Sequence, residues 1–533
     1  AEQFGLDVPD GVYEEMAGAV DDGDEWDEIR SQDWFASAQA TADEQSFFHW
    51  ELEYPEVFFG DDGEKRDDAG FDAVVGNPPY LRGEYLRKTQ PRVTEYLENC
   101  YSTAEGRFDI YAAFIEKGSK LANYSHLSYI VSNKFFDSGG GEPLREYITE
   151  NNLLRQIVDF GQYQVFNTVT TYTCILSLSS KGDSFTYVES NSDVNSALDI
   201  QELEAASMQA TEFNNEPWVL TNADEKNILE QLEQKGACLN SMVDYICQGV
   251  KSGDNDVFFP EVINWGENTV EVESPADQEI YLLEREVVKN LVRGSNIQRY
   301  RPPQKNLCVV YPYSENNGNT SVISENKLKD QYPSTYDYFQ RFEKRLSDRA
   351  ESGQYKEYFC ISRPREKHIF ETPKLIVPDV CQQSEFILDN SGGTYVSNTG
   401  YAIIPKENTK INRQYLLAVL NSTATWFYVY LTSAVLRGDF RRFLRSYIEP
   451  IPVPIIDQND NDSKIEERIS RHKIYEDDFQ NKNVKEFISF LSSELIESYE
   501  EQMNLNLNLL DHLGSYSDGP TLADVGLTQP PRG

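Results

Sequence analysis

A chain of 533 residues carrying 89 acidic and 48 basic side chains has a formal charge of −41 and room for two or three cored domains. Its 12 % aromatic content excludes a charged disordered chain, and its charge excludes nucleic-acid binding by bulk attraction, because phosphate contacts need Lys and Arg. A diffuse acidic surface fits a halophile's cytosol of molar salt, where the Debye length is about 3 Å and repulsion from DNA is screened.

The seven cysteines, at 100, 174, 238, 247, 308, 360 and 381, form no close pair, and the five histidines lack metal-ligand spacing. A reduced, cytoplasmic chain with no structural metal is therefore expected. No apolar run is long enough to span a bilayer, so no membrane partner is expected.

In chain order, residues 1–45 are an acidic N-terminal segment in which Trp26, Ile29, Trp34 and Phe35 hint at one helix. Phe71 to Val75 reads as a short buried strand, ended by Gly76. That strand delivers Asn77, Pro78, Pro79 and Tyr80 to the rim of an open sheet, and ligand sites in α/β sheets lie beyond the carboxyl ends of strands. Prolines fix φ and lack a donor, which leaves the Asn77 side-chain oxygen and the Pro78 carbonyl as acceptors in a defined geometry. An exocyclic amine can donate one hydrogen to each, while the Tyr80 ring can stack on a planar heterocycle. Such equipment suits the amino group of a nucleobase flipped out of its stack. The alternative is a plain turn after a strand.

Further on, Phe108, Tyr111, Ile115 and Leu121 share one helix face. Leu127 to Val131 reads as a strand, and Pro143 to Glu150 as a short helix with its proline in the first turn. Leu154 to Phe160 and Tyr172 to Leu178 read as strands, so residues 46–190 predict a doubly wound sheet. Residues 191–235 look like a polar connector, with Leu203, Ile228 and Leu232 on helices. From 236 to 455 short strands alternate with Gly, Pro and Asn, for example Asn306 to Tyr311, Lys374 to Val377 and Tyr401 to Ile404. Residues 456–533 are expected to be a helical segment over Asp457 to Asn508 and a loose tail from Gly514.

Basic residues are scarce, so their clustering matters. One group is Arg285, Lys289, Arg293, Arg299, Arg301 and Lys305; a second is Arg363, Arg365, Lys367 and Lys374; a third is Arg437, Arg441, Arg442 and Arg445. All three fall within 236–455, interleaved with Tyr300, Phe370, Phe440 and Phe443. They are expected to neutralise phosphates and to place one or two guanidinium groups on base edges. Solvated faces paired with carboxylates are the competing account.

Several linked motifs resemble one family. Phe48 to Phe58, Asn77-Pro78-Pro79-Tyr80, Phe108-Asp109-Ile110-Tyr111, Ile130 to Phe135, Ile157 to Gly161 and Val165-Phe166 follow in the order found in amino-group DNA methyltransferases of restriction–modification systems. The adenine-specific, TaqI-like and type IIG enzymes are the best match, over roughly residues 46–455. In 236–455, Ile246 to Gly253, Leu291 to Ile297, Arg363-Pro364-Arg365, Leu417 to Ser422 and Ile448 to Pro454 resemble landmarks of the family's target-recognition domain.

This resemblance implies an α/β fold: the C-terminal portion of a Rossmann-like methyltransferase sheet at 46–190, then an α+β recognition domain and a C-terminal helical segment. It implies double-stranded DNA as partner and S-adenosyl-L-methionine as methyl donor. It makes Asn77, Pro78, Pro79 and Tyr80 catalytic, Phe166 a contact to the target base, and Arg293, Arg299, Arg363, Arg365, Lys367, Arg437, Arg441 and Arg442 DNA-binding residues. The family's Gly-rich turn and acidic donor-binding residue normally precede the Asn-Pro-Pro-Tyr motif, and no strand with such a turn is legible before Asn77. Asp21-Asp22-Gly23-Asp24 has no strand ahead of it. The expectation is thus the second half of a catalytic domain joined to a recognition domain, as a fragment or one half of a split enzyme whose partner chain supplies the rest. No nuclease motif is seen; Pro378-Asp379 lacks a following Glu-x-Lys. The alternatives are a DNA-binding specificity module without catalysis and, less favoured, an RNA or protein-glutamine methyltransferase, which use the same tetrapeptide.

Overall fold

Apolar segments of three to six residues, broken by Asn, Gly and Ser, form the strands of a single sheet in the first half of the computed structural model. The structure describes residues 23–45, 48–161, 163, 165–166, 171–180, 182–190, 203, 205–316, 318–349, 356–406, 412–436, 438–455 and 488–501, with Met16 and Ala19. The chain divides into two compact units, Ala1–Ala223 and Asp224–Gly533.

In the first unit the strands are β1 (Val74–Gly76), β2 (Leu127–Ser132), β3 (Leu154–Asp159), β4 (Thr173–Leu178), β5 (Ser184–Glu189) and β6 (Ala205–Gln209), in the order β1-β2-β4-β3-β5-β6. β1 pairs parallel with β2, Val74 opposite Leu127. β4 lies antiparallel between β2 and β3, and β5 runs parallel to β3. The sheet is therefore mixed, with β4 antiparallel inside it, and stays within the α/β class expected from the sequence. No helix separates β3 from β4 among the described residues, and parallel pairing needs a crossover that usually contains one.

Helix α1 (Tyr111–Leu121) buries Tyr111, Ala112, Ile115 and Leu121. It approaches β2 so closely at Gly118 that a Cβ there would stand 2.5 Å from the Leu127 and Tyr129 side chains. Helix α2 (Glu142–Glu150) has Pro143 in its first turn and buries Leu144, Tyr147 and Ile148. Together these side chains and the inward residues of β2 to β5 make one core.

Three expectations need correction. Phe71 to Val75 is not a buried strand: β1 covers three residues, and Val75 is 80 % exposed. The cause is position, since among the described residues β1 is the edge strand and pairs only with β2. Trp26, Ile29, Trp34 and Phe35 lie on two helices, Gly23–Arg30 and Asp33–Gln45, with the rings of Trp26 and Phe35 meeting edge-on at 6.1 Å. Leu203 is not helical, whereas Ile228 and Leu232 lie on helix Ala223–Lys235.

The second unit is built on a four-stranded antiparallel sheet in the order Ile387–Asp389, Lys374–Pro378, Gly400–Pro405, Val243–Gln248. Smaller sheets surround it, among them Val288–Val292 with Cys308–Val310 and Thr394–Val396, and Val380–Cys381 with Phe440–Arg442 and Val435–Leu436. Helices α3 (Arg413–Leu420) and α4 (Thr423–Thr432) start at Asn412 and Ser422, whose side chains accept from the backbone N–H of Tyr415 and Thr425. A large core of Val, Ile, Phe and Tyr side chains fills the unit. Of the expected helix from Asp457 to Asn508, residues 488–501 are helical; the rest, and the tail from Gly514, lie outside the described residues. No described helix is long and apolar enough to cross a membrane.

Candidate active site and nucleic-acid interface

Since β1, β2 and β3 run in one direction, their carboxyl ends share one rim. Asn77 follows β1 there, the turn Asn133–Phe136 follows β2, and Phe160-Gly161 follows β3. Asn77 is exposed, Pro78 is buried and Pro79 is exposed. The buried proline roots the turn in the core while the amide stands in the open. Tyr80 is half-buried and packs against the core, and its hydroxyl donates to the Ile130 carbonyl at 3.1 Å. That bond ties the ring to β2 and fixes its plane beside Asn77. Burial raises the Tyr80 hydroxyl pKa, so the group stays a neutral donor.

Around this motif the structure assembles polar groups to which the sequence reading gave no role. Asp109 belongs to a backbone bridge with Arg82, and Gly83 N–H and Ile110 N–H donate to Phe108 and Leu81 carbonyls at 2.8 and 2.9 Å. The segment after Tyr80 is thereby laced to the start of α1. Burial raises the Asp109 carboxyl pKa, and the charges of Arg82 and Lys134 oppose the shift.

Behind the rim, the Asp159 carboxylate accepts from the Asn133 side-chain amide at 2.9 Å and from Gly161 N–H at 3.0 Å. Asp159 is buried, and desolvation pushes its carboxyl up against the lowering effect of those two hydrogen bonds. Gly161 sits at φ +52°, a conformation that favours glycine. The buried Arg145 guanidinium donates to the carbonyls of Phe135, Ser138 (2.9 Å) and Asn215 (2.8 Å), pinning the turn after β2 from beneath. Phe166 is half-buried on the segment beyond Gly161. Asn133, Lys134, Asp109 and Asp159 all belong to motifs read from the sequence. The signal that singles them out is their place at strand ends and at a helix start.

In the second unit the basic residues divide by environment. Lys374 is fully buried, bonded to Asp389 at 2.6 Å and to the carbonyls of Phe370 and Thr372. Its expected place among phosphate-facing cations is therefore corrected, because no phosphate can reach it. Arg441 is 6 % exposed and lies 3.8 Å over the Tyr430 ring. Arg365 is half-buried and donates through Nε to the Gln248 carbonyl at 2.8 Å. Lys367 lies 3.6 Å from Glu371. Arg293 is half-buried with its guanidinium 5.7 Å from the Phe259 ring centroid. By contrast Arg299 and Arg363 are exposed and Arg442 is partly so. Arg437 lies outside the described residues.

Two cavities border these cations. One of about 770 Å³ is lined by Arg293, Gln298, Asp379, Gln382, Glu385 and Phe440. Burial raises both carboxyls there, opposed by Arg442 at Asp379 and by Arg299 at Glu385. The other, about 860 Å³, has Arg285, Lys289 and Lys305 on one wall and Glu497 and Glu500 of the helix 488–501 on another. The Arg285 guanidinium lies 4.1 Å over the Trp265 ring. Among the described residues no group of three or more His, Cys, Asp or Glu is placed to hold a metal ion.

Comparison with known proteins adds what geometry alone does not give. Residues 16–166 match the family described as Eco57I restriction-modification methylase, and residues 289–453 match the TaqI-like C-terminal specificity domain. The chain is 26 % identical over 483 residues to the type II restriction enzyme and methyltransferase RM.Eco57I of Escherichia coli, covering 85 % of this chain and 48 % of that protein. It is 26 % identical over 435 residues to the type II methyltransferase M.BstVI of Geobacillus stearothermophilus, covering 76 % of this chain and 72 % of the relative. The type IIL restriction-modification enzyme MmeI, solved in complex with DNA, aligns over 86 % of this chain and 55 % of its own at 13 % identity and a TM-score of 0.47. The chain spans about half the length of RM.Eco57I, 48 % of it. On these matches the chain is a homologue of the type II restriction–modification methyltransferases, combining an Eco57I-type methylase region with a TaqI-like C-terminal specificity domain.

Proposed function

We propose that this chain carries the target-base side and the specificity domain of a site-specific DNA methyltransferase acting on the adenine amino group. Its partner is double-stranded DNA, and its methyl donor is S-adenosyl-L-methionine. The observation that carries the reading is the exposed Asn77 amide at the sheet rim, followed by a buried Pro78 and an anchored tyrosine.

The chemistry follows from those residues. The amino nitrogen of a base conjugates its lone pair into the ring and is a poor nucleophile. Acceptors at the Asn77 side-chain oxygen and the Pro78 carbonyl draw both N–H bonds out of that conjugation and favour a tetrahedral nitrogen. The interaction therefore strengthens as the transition state forms. Tyr80, held by its bond to Ile130, offers a fixed face for the extruded base, and Phe166 approaches from the segment beyond Gly161 in this reading. No strong base is needed if the proton leaves after methyl transfer. Of the arginines assigned to DNA, Arg299 and Arg363 are exposed and Arg442 partly so, and in this reading they meet phosphates, while Arg293 and Arg365 are held at the edges of the surface.

S-Adenosyl-L-methionine supplies an electrophilic methyl group in this family. In this reading the donor pocket needs more than the rim at β1 to β3. An α/β sheet takes such a ligand in a crevice beside the strand ends, and β1 has no described neighbour on its outer side. In this reading a strand supplied along that edge, from elsewhere in the polypeptide or from a partner chain, completes the crevice. The 533-residue chain alone then binds the donor weakly, which titration calorimetry checks. Tight binding would mean that a donor site lies within the chain. The acidic surface supports a working medium of molar salt, and a melting temperature that falls as KCl is added counts against it.

The decisive experiment supplies the complete enzyme with methyl-labelled donor and duplex DNA and digests the product to nucleosides. Label on adenine N6 is expected. Label on cytosine N4 would reassign the base. Label in RNA or protein, or sequence-specific DNA binding with no label at all, would replace the reading with one of its alternatives.

A further inference from the structure

Asp159 is a buried carboxylate that the proposed chemistry does not use. Holding a carboxyl in a dry site is costly, and the charged group it feels most is another carboxylate, Asp137. An amide oxygen would avoid that cost but accept from the same two donors more weakly. What distinguishes the position is what it joins. Its acceptor oxygen takes the Asn133 side chain on one side and Gly161 N–H on the other. Those residues open the two loops that leave the rim after β2 and β3.

The neighbouring backbone closes the same knot. Asn133 N–H donates to Tyr172 O at 3.1 Å, Phe160 N–H to Thr173 O at 3.1 Å, and Ser190 N–H to Asp159 O at 2.8 Å. Because β4 stands between β2 and β3, the two loops share no strand pairing of their own. Among the described residues the Asp159 carboxylate is a side-chain link that spans them. Below it the Cys174 side chain is fully buried, and the Thr173 hydroxyl is buried with no hydrogen-bond partner.

We propose that Asp159 is a positioning residue for target-base capture: its bridge between Asn133 and Gly161 sets the spacing of the two rim loops, and with it the gap into which the base is received between Tyr80 and the Phe166 segment. The inference rests on the reading of the rim as the base-flipping site. It assigns Asp159 no contact with the base.

The test uses the complete enzyme and a duplex bearing the sequence it methylates, located beforehand by sequencing of modified bases, with 2-aminopurine in place of the target base. Anisotropy reads duplex affinity, and 2-aminopurine fluorescence at saturation reads extrusion. Asp159→Ala is expected to keep duplex affinity within about twofold while lowering the fluorescence rise by about half or more. Asp159→Asn alone is expected to fall between the two. The exchange Asn133→Asp with Asp159→Asn, which restores an amide–carboxylate pair, is expected to recover most of the signal, while duplex affinity stays level across all the variants, as a merely structural role would not have it. Should Asp159→Ala fail to fold, the Asp159→Asn and exchanged proteins decide the matter. Unchanged fluorescence in Asp159→Ala, or no recovery in the exchange, overturns the proposal. A wild-type protein that binds the duplex without any fluorescence rise overturns the base-flipping reading itself.

Discussion

The two units use their polar residues in opposite ways. In the first, the side chains with chemistry to offer stand at strand ends: Asn77 is exposed, and the groups behind it are locked by hydrogen bonds to backbone and to one another. In the second, several of the cations that dominate the sequence are consumed internally. Lys374 is sealed against Asp389, Arg441 lies on Tyr430, and Arg365 holds the Gln248 carbonyl. A cluster of basic residues in an acidic chain is therefore a mixture of surface charge and internal fastening. Only burial separates the two.

The largest effect expected from that contrast is on stability. Lys374→Met leaves the Asp389 carboxylate buried without its cation, and removing one partner of a buried pair costs about 3–5 kcal/mol. Denaturant unfolding should show this as a shifted midpoint; an unshifted one would return Lys374 to the surface group. Next comes chemistry. Asn77→Ala in the complete enzyme should lower the methylation rate on the order of a hundredfold, about 3 kcal/mol, because the lost acceptor acts in the transition state. Duplex affinity should be nearly unchanged, and near-normal turnover would remove Asn77 from the mechanism.

The third effect is electrostatic. Arg299→Gln and Arg442→Gln should each flatten the plot of log affinity against log salt by about one unit per lost phosphate contact, leaving the melting temperature in place. Arg441→Gln should do the reverse, lowering the melting temperature more than the slope. If the exposed and the buried arginines behave alike, the division by burial fails. The smallest effect is in pH. Burial raises the Asp159 carboxyl pKa in the folded state. Its contribution is full below the ordinary carboxylate value and is lost as pH rises through the raised one. The stability of Asp159→Asn relative to wild type should therefore improve from about pH 4 toward pH 7. A difference flat in pH would mean the carboxyl is not desolvated.

How much of this was legible beforehand follows from how far each feature reaches along the chain. The Asn77 turn was readable because its geometry is local: two prolines and the residues on either side determine it. So were α1, α2 and the strands β2 to β4, whose periodicity is carried within each segment. The burial of Phe71 to Val75 was misjudged because an apolar strand looks the same at the centre of a sheet and at its edge. Only the pairing with Leu127 to Tyr129 on one side decides which it is. The fates of the arginines were hidden for the same reason: Arg365 meets Gln248 across 117 residues of sequence. The Asn133–Asp159 bridge spans 26 residues and two strands, and it depends on β4 inserting between them.

The prolines that follow β1 have a consequence for association. An open sheet edge is a template on which stray strands can polymerise, and proteins shorten or interrupt such edges to prevent it. Here the template runs for the three residues Val74–Gly76 and then meets Pro78 and Pro79, which have no N–H to offer a ladder. An incoming strand can register with it only briefly before the pairing stops. The Asn77–Tyr80 segment thus also acts as a stop signal against fibre growth.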